Sequence, residues 1–315
     1  MVRRLRISSR VVCGLLIALG AGPASAQRIL PGGPPMPKGD TTVVVILGSG
    51  TPVPDPTASG PAVAVVVGSR VFLFDAGAGV TRRIAAAGLP IDGVTAAFIT
   101  HLHSDHTLGY PELIFDTWVM GRKSPLRVYG PPGIKAMTDH LIAAWAEDTV
   151  IRITGLERGI PGGYRVDARE VTPGVVYDSG GVKVTAIAVP HGSWRYAYGY
   201  RIDTPRKHVV ISGDTRYSEA LATAATGADV LIHEVYLESA RKPENRPGGE
   251  MWPRYLSEFH TSDVELGRLA AKAQPKLLVL SHVIPYDASG AELLAGVRRG
   301  GFTGRVVVAK DLDRY

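Results

Sequence analysis

The segment Thr100-His101-Leu102-His103-Ser104-Asp105-His106 carries three imidazoles and a carboxylate within six positions. It follows an apolar run, residues 94–99, whose length and composition predict a buried strand. Alternate residues of an extended chain point the same way, so His101 and His103 are expected to converge on one point. A turn would then direct Asp105 and His106 to a second point nearby. Because zinc and similar metals prefer imidazole and carboxylate ligands, the segment predicts a metal site.

The first 26 residues have the organisation of a secretory signal peptide. Arginines at positions 3, 4, 6 and 10 precede the apolar run 11–21, and Ala24-Ser25-Ala26 supplies small residues for cleavage. The run is too short to span a bilayer comfortably, so no stable membrane anchor is expected. We predict cleavage after Ala26 and a periplasmic or secreted protein. Cys13 is the only cysteine and lies in this leader, so the mature chain would have no disulfide and no thiolate ligand.

The composition is that of a globular protein, with 45% hydrophobic and 20% charged residues. Residues 27–41 are rich in Pro and Gly, which predicts a flexible lead-in before the folded part. The net charge of +6 owes much to the leader, because removing its four arginines leaves 31 basic residues against 29 acidic ones. The sequence therefore does not predict a general basic surface for nucleic acid.

Short apolar runs alternate with helical patterns along residues 42–315, which predicts a mixed α/β structure. Strands are predicted at 42–47, 62–67, 71–74, 94–99, 126–129, 182–189, 197–202, 209–211, 230–232, 277–280 and 305–309. Helices are predicted at 107–120, 134–147, 221–226 and 262–273, with one more ending at residue 87. Residues 152–181 are predicted to be irregular, because they contain several glycines and a proline.

Candidate metal ligands also lie at other strand ends. Three of them each follow a predicted strand: His191 after 182–189, Asp214 after 209–211 and His282 after 277–280. Residues at strand ends are held rigidly yet remain open to solvent, and a catalytic metal needs both properties. These positions therefore strengthen the prediction of a metal site.

The ordered set His101-x-His103-x-Asp105-His106, His191, Asp214 and His282 resembles the metallo-β-lactamase superfamily of hydrolases. The similarity covers residues 42–315, which we interpret as one hydrolase domain. The resemblance implies an α/β fold of the αββα sandwich type, with two facing mixed sheets, helices outside and a di-metal site at one edge. It implies His101, His103 and His191 for one metal, Asp105, His106 and His282 for the second, and Asp214 as the bridge. The metals would be two Zn²⁺, with Mn²⁺ or Fe²⁺ as alternatives, and they would clamp a hydroxide nucleophile.

Additional motifs are similar to the ribonuclease Z and arylsulfatase-like branch of this superfamily. They are Leu47-Gly48-Ser49-Gly50-Thr51-Pro52, Gly199-Tyr200-Arg201-Ile202, His233-Glu234, His260-Thr261-Ser262 and Leu280-Ser281-His282. The branch uses a Glu and an extra His as a proton-delivering pair, which implies that Glu234 orients His260 and that His260 protonates the leaving oxygen. Asp105 is assigned to the catalytic residues as well as to the ligands. The alternative for His260 is a helix-cap role beside Thr261 and Ser262.

The substrate predicted first is a small anionic phosphodiester or sulfate ester, since each expels an oxygen leaving group. A ribonuclease Z-like nuclease is the main alternative. It ranks second because an exported protein meets no tRNA precursors and residues 152–181 show no strongly basic RNA-gripping arm. β-Lactamase or lactonase activity and a non-catalytic metal-binding protein are lesser alternatives. Residues 241–259 are interpreted as a lid that recognises an anionic aromatic ester, with a solvated loop as the alternative. The segment lies just before His260 and carries Arg241, Lys242, Arg246, Trp252, Arg254 and Tyr255. Relatives of this branch are often dimers, which implies a homodimer here.

Overall fold

Two facing β-sheets with helices on their outer faces make up the computed structural model, which describes residues 36–285 and 287–315. The strands are β1 (Thr42–Gly48), β2 (Ala62–Val67), β3 (Arg70–Phe74), β4 (Val94–Phe98), β5 (Leu126–Gly130), β6 (Val166–Glu170), β7 (Gly174–Ser179), β8 (Val182–Ala188), β9 (Tyr198–Asp203), β10 (His208–Ile211), β11 (Val230–Tyr236), β12 (Leu277–Ile284) and β13 (Arg305–Val308). The predicted signal peptide and most of the predicted lead-in fall outside the described residues.

The helices cover the outer faces of the two sheets. They are α1 (Val80–Ala86), α2 (Ser104–Thr107), α3 (Tyr110–Val119), α4 (Ile134–Ala144), α5 (Ala146–Thr154), α6 (Glu219–Ala224), α7 (Trp252–Phe259), α8 (Asp263–Ala273) and α9 (Gly290–Arg299). Short 3₁₀ turns occur at Ile91–Gly93, Glu238–Ala240 and Gly249–Met251. None of the helices in the described part of the chain has both the length and the apolar character that crossing a bilayer requires.

Each sheet combines parallel and antiparallel pairs. The first sheet runs β1-β2-β3-β4-β5-β6, with β1 to β3 antiparallel and β3 to β6 parallel. The second runs β13-β12-β11-β10-β9-β8-β7, with β10 to β13 parallel and β7 to β10 antiparallel. The predicted αββα arrangement of two facing mixed sheets is therefore confirmed.

Both faces of the central strands are buried, which explains why the sequence shows continuous apolar runs there. In β1, Val44 and Ile46 join the core between the two sheets, whereas Val45 and Leu47 pack under the helices of the first sheet. The second sheet repeats the arrangement, because Ile232 faces the inter-sheet core and Leu231 faces the outer helices. Three apolar layers thus hold the strands in place.

The prediction that residues 152–181 are irregular is wrong, because this segment contains the end of α5 and the strands β6 and β7. Both are edge strands. In β6 three of the five residues are charged, so the apolar pattern of a strand is missing, whereas β7 has only a short apolar run, Val175 to Tyr177, of which Tyr177 joins the core between the sheets. The loop between α5 and β6 is held down by Trp118, whose Nε1 donates to the carbonyl of Ile160 at 2.9 Å. This segment therefore does not project as an arm.

Several other boundaries differ from the predictions. The predicted helix 107–120 is two helices, α2 and α3, separated at Leu108-Gly109. The predicted strands 230–232 and 277–280 extend to residues 236 and 284, so Glu234 and His282 lie within strands and not after them. Helices α7 and α9 were not predicted. Both nevertheless carry apolar residues at helical spacing: Trp252, Tyr255, Leu256 and Phe259 in α7, and Leu293 and Val297 in α9.

Candidate metal centre

The predicted ligands meet at one edge of the sandwich, where the parallel strands of both sheets reach their carboxyl ends. The His-rich segment follows β4, Asp214 follows β10, and His282 lies near the end of β12. His191 follows the antiparallel strand β8 and reaches the same edge. Carboxyl ends of parallel strands are the usual place for ligands in open α/β sheets. The topology therefore explains why ligands far apart in sequence lie close together.

A close backbone approach positions the His-rich segment. The short helix α2 is bound to the chain after β3, because Ala76 N donates to the carbonyl of His106 at 2.9 Å. Gly109 N in turn donates to the carbonyl of Ala76, also at 2.9 Å. A Cβ at Gly109 would lie 2.1 Å from the carbonyl oxygen of Gly77, so only glycine allows this contact. The spacing of the two segments is thus determined by backbone contacts.

Three histidines direct ring nitrogens to one point. His103 Nδ1 lies 3.0 Å from His101 Nε2 and 3.1 Å from His191 Nε2. His101 and His191 are fully buried, and His103 is partly exposed. Together with Asp214, these residues form a group whose ligand atoms all lie within 4.8 Å of one another. This is the first of the two sets that the sequence predicted.

Two of the imidazoles, those of His191 and His106, donate hydrogen bonds from the ring nitrogen that faces away from the centre. His191 Nδ1 lies 2.7 Å from the carbonyl oxygen of Phe259, which can only accept, so the ring donates from Nδ1. His106 Nδ1 lies 2.8 Å from Asp75 Oδ2 and donates in the same way. The Nε2 atoms of both rings then carry lone pairs that point into the centre, as metal ligands require.

Asp105, His106 and His282 form the second group, and their ligand atoms also lie within 4.8 Å of one another. His282 Nε2 is 3.2 Å from Asp105 Oδ2, and His106 Nε2 is 3.6 Å from the same oxygen. All three residues are buried. The second predicted set is therefore also assembled.

Asp214 lies between the two groups. Its Oδ1 is 3.3 Å from His106 Nε2, and its Oδ2 is 3.9 Å from His101 Nε2 and 3.6 Å from His282 Nε2. One carboxylate thus faces both ligand sets, which is the position of a bridging ligand. The structure places every predicted ligand within the cluster, and their role as ligands remains a prediction.

The electrostatics differ between the two groups: burial lowers the pKa values of His101, His103 and His191 and keeps these imidazoles neutral, whereas the second group favours positive charge. Burial opposes a charge on His106, but Asp214 and Asp75 outweigh it and raise the pKa of the imidazole. Burial likewise opposes a charge on His282, and Asp214 with Asp105 raises its pKa to about 9. Groups that attract protons in this way can exchange them for divalent cations. The donor set and the charge of the pocket therefore fit two metal ions.

Asp75 orients the centre and was not assigned a role from the sequence. Its carboxylate accepts from Thr100 N at 2.8 Å, from Thr100 Oγ1 at 2.9 Å and from His106 Nδ1 at 2.8 Å. The residue has a φ of 60°, a left-handed conformation that Asp tolerates better than most residues. The only signal in the sequence was a carboxylate directly after the strand that pairs with β4.

Trp194 is a second contact that the sequence did not indicate. Its Nε1 lies 2.6 Å from His103 Nε2, and the indole N–H can only donate. The proton of a neutral His103 therefore lies on Nδ1, the nitrogen that faces the other rings. For His103 to hold a metal ion through Nδ1 as a neutral imidazole, its proton would have to lie on Nε2, so Trp194 would have to give up this contact.

The predicted proton-delivering pair lies beside the ligand groups. Glu234 Oε1 is 3.2 Å from His260 Nδ1 and also accepts from Thr215 N at 3.1 Å and Thr261 N at 3.2 Å. His260 Nε2 lies 3.2 Å from the hydroxyl of Tyr255 on α7. Burial lowers the pKa of His260 to about 4. The alternative cap role for His260 is not seen, since Ser262 is the N-cap of α8.

A cavity of about 520 Å³ opens onto the cluster and reaches His103, Asp105, Asp214, His260 and His282. Residues 51–53 form one side. The predicted lid, residues 241–259, contributes four further lining residues: Glu244, Arg246, Trp252 and Tyr255. The lid segment therefore borders the candidate site, whereas residues 152–181 do not line this cavity.

Similarity of sequence and of fold to known proteins identifies the family of this chain. Residues 70–283 match the model of the beta-lactamase superfamily domain. A ribonuclease Z from Mycobacterium sp. (strain KMS) is 34% identical over 274 residues, which cover 86% of this chain and 94% of that protein. A metallo-beta-lactamase fold protein from Bacillus subtilis superposes with a TM-score of 0.67 at 20% identity, covering 88% of this chain and 99% of its own. The short form of human tRNase Z superposes with a TM-score of 0.64 at 20% identity, covering 87% and 98%. The chain belongs to the metallo-β-lactamase superfamily of hydrolases, in its ribonuclease Z branch.

Proposed function

We propose that this protein is a metal-dependent phosphodiesterase of the ribonuclease Z type that hydrolyses RNA. The observation that carries the proposal is the pair of ligand groups joined by Asp214, with His260 beside them on the same cavity. The 34% identity to ribonuclease Z supports RNA as the substrate class. The sequence alone favoured a small anionic ester over a ribonuclease, and the relatives reverse this order.

The residues of the two groups would hold the ions in the sets described above, and zinc is the metal we propose because the donors are imidazole nitrogen and carboxylate oxygen. Two such ions would supply an activated water as nucleophile and stabilise the negative charge that develops on the phosphate. Asp75 and Phe259 keep the lone pairs of His106 and His191 directed inward.

His260 is placed to give a proton to the leaving oxygen. Burial lowers its pKa to about 4 in the free protein, and the negative charge of a bound phosphate would oppose this effect and raise the pKa again. The Nδ1 of His260 faces Glu234, and its Nε2 faces the cavity side of α7 near the Tyr255 hydroxyl. Glu234 is itself oriented by two backbone N–H groups, so it can hold the imidazole in one orientation. An alkoxide of ribose is a poor leaving group, and its expulsion therefore gains much from a proton donor.

A small phosphodiester is the second candidate, because residues 152–181 do not project as an arm and the cavity is partly enclosed by Trp252 and Tyr255. Sulfate esters, lactones and β-lactams have no such observation in their favour. Turnover of three substrates by the zinc-loaded protein distinguishes the candidates. They are RNA with a 3′ extension, bis(4-nitrophenyl) phosphate and 4-nitrophenyl sulfate. Turnover of sulfate but not phosphodiester would contradict the proposal.

The variant His260→Ala tests the role of the imidazole. Turnover of RNA should fall by about 10²–10⁴-fold, the usual contribution of a general acid. Turnover of bis(4-nitrophenyl) phosphate should fall much less, because nitrophenolate leaves without a proton. His140→Ala, a change at an exposed histidine of α4, is the control and should leave both rates unchanged.

Metal content must be measured in the same samples. His260→Ala should retain two ions per chain, since no ligand group contains His260. Loss of an ion would mean that His260 is a ligand, and an equal loss of rate on both phosphodiesters would exclude the proton-donor role.

We also propose export through the leader, residues 1–26, and a homodimer as the assembled form. Export would direct the enzyme to RNA or phosphodiesters outside the cytoplasm. N-terminal sequencing of the protein from fractionated cells tests it: a mature terminus at Gln27 in the periplasm or medium supports export, and an intact Met1 terminus in the cytoplasm contradicts it. Analytical ultracentrifugation measures the mass of the purified protein: twice the mass of one chain supports the homodimer, and the mass of a single chain contradicts it.

A further inference from the structure

Aromatic side chains of the lid segment form one continuous wall beside the candidate centre. The rings of Trp252 and Tyr255 are stacked, with centroids 5.1 Å apart and planes at 16°. Tyr255 and Phe259 are stacked as well, at 4.7 Å and 26°. The guanidinium of Arg246 lies 5.3 Å from the centroid of Trp252. We call Arg246, Trp252, Tyr255 and Phe259 the aromatic wall.

The aromatic wall is held firmly in place. Leu256 on α7 is fully buried and packs with Tyr236 and Ile284 of the second sheet. The end of the helix is tied to the loop after β8, because Gly192 N donates to the carbonyl of Glu258 at 3.0 Å. Trp252 and Tyr255 are nevertheless only half-buried, and both line the cavity. A rigid, partly exposed aromatic surface costs little conformational entropy when it binds a ligand.

The aromatic wall lies on the side of the centre where His260 is located. The Tyr255 hydroxyl is 3.2 Å from His260 Nε2, so the wall adjoins the nitrogen that would deliver the proton. A group attached to the leaving oxygen would therefore lie next to Tyr255 and Trp252. Tyr255 has Trp252 on one face and Phe259 on the other, so the ring that can receive a planar base is Trp252, whose second face is covered by the exposed guanidinium of Arg246. A base that takes the place of this guanidinium would stack on the indole whatever its sequence, as bases do on aromatic side chains.

We propose that Trp252, supported from behind by Tyr255, forms a subsite for the planar aromatic part of the leaving group, a nucleobase in the case of RNA. This inference rests on the proposed function, since it assumes that a phosphate sits at the cluster. It adds to that function a specificity site on the lid, which recognises a ring and not a base sequence.

Binding to the zinc-loaded protein tests the subsite without turnover. Adenosine 5′-monophosphate and ribose 5-phosphate carry the same phosphate and sugar and differ only in the base. Calorimetry should find the nucleotide bound about ten-fold or more tightly, the range expected for one stacked base. In Trp252→Ala the ratio should collapse to about two-fold or less, and Trp252→Phe should keep most of it.

Trp145→Ala is the matched control, because Trp145 lies on the α4–α5 side and does not line the cavity. It should leave the ratio unchanged. Circular dichroism and thermal unfolding of each variant confirm that the fold is retained, and Trp252→Phe gives a second measure should Trp252→Ala lose it. Equal affinities in the wild type, a ratio unaffected by Trp252→Ala, or no binding of either phosphate would overturn the proposal.

Phenyl phosphate and methyl phosphate, compared in the same assay, distinguish an aryl ester from a nucleotide as the ring. A preference for phenyl phosphate alone assigns the subsite to aryl esters, and a preference for the nucleotide alone or for both ring-bearing phosphates assigns it to nucleobases. Failure of the proposed function can be distinguished from failure of the subsite. If only the proposed function is wrong, RNA hydrolysis is absent while the Trp252-dependent preference for the ring-bearing phosphate persists.

Discussion

Asp75 connects the two ends of the His-rich segment, residues 100–106, by hydrogen bonds from its carboxylate. It accepts from the backbone and hydroxyl of Thr100, directly before the first imidazole, and from His106, the last. A carboxylate in this position raises the basicity of the metal-facing nitrogen and keeps the ring in one tautomer. One residue thus supports both the geometry and the donor strength of the centre.

The substitution Asp75→Asn should weaken metal binding by about 10–100-fold while preserving the fold. Asn has the same size and also tolerates a positive φ, but its amide nitrogen cannot accept the proton of His106 Nδ1. Titration against a zinc-binding dye measures the affinity of each ion. Asp167→Asn, at an exposed ion pair with Arg169, is the control. Unchanged affinity at both sites would show that Asp75 has no role in binding the ions.

Helix α7 links the predicted lid to the predicted ligand His191 through its last turn. The carbonyl of Phe259 accepts from His191 Nδ1, and the carbonyl of Glu258 accepts from Gly192 N. A Cβ at Gly192 would lie 2.1 Å from the Phe259 ring. The helix therefore has its position set by a residue that directly follows a predicted ligand.

Gly192→Ala should displace α7 and reduce activity together with stability. The residue has a φ of 51°, which costs an alanine about 1–2 kcal/mol, and the clash with Phe259 adds about 1–3 kcal/mol. Gly227→Ala is a matched control with a φ of 65° and no atom within 4 Å of the added Cβ. Urea unfolding and phosphodiester turnover compare the two variants. Equal losses would mean that the contact with Phe259 carries no weight.

The two sheets depend on each other through the core between them. Phe98 of β4 stacks on Phe74 and Tyr129 of its own sheet and meets Tyr177 and Tyr200 of the facing sheet edge-on. Since each group of predicted ligands draws residues from both sheets, this core also determines the distances within each group.

Phe98→Ala should reduce the free energy of unfolding by about 3–5 kcal/mol, as for other buried phenylalanines. Leu156→Ala, at a side chain that is 96% exposed, should change it by less than about 0.5 kcal/mol. Denaturant unfolding followed by circular dichroism measures both. A loss under 1 kcal/mol for Phe98→Ala would contradict the view that this ring joins the sheets.

The sequence by itself determined the fold class, the family and the set of candidate ligands. The motif from His101 to His106 is local, and the other ligands belong to strands whose apolar runs are long enough to recognise. Such features depend on neighbouring residues, so they are visible without the fold. The edge strand β6 escaped because three of its five residues are charged. The strand β7 and the helix α7 did offer a signal, because Val175 to Tyr177 form a short apolar run and Trp252, Tyr255, Leu256 and Phe259 recur at helical spacing.

Only the tertiary structure decided how the centre is supported and what surrounds it. Asp75, Trp194 and Tyr255 contact ligands or His260 across 31, 91 and 5 positions of the chain. An isolated Asp, Trp or Tyr has no pattern that predicts such a contact, because the contact exists only once loops from different strands meet. These contacts between distant segments also determine the tautomers of the imidazoles, the aromatic wall and the cavity.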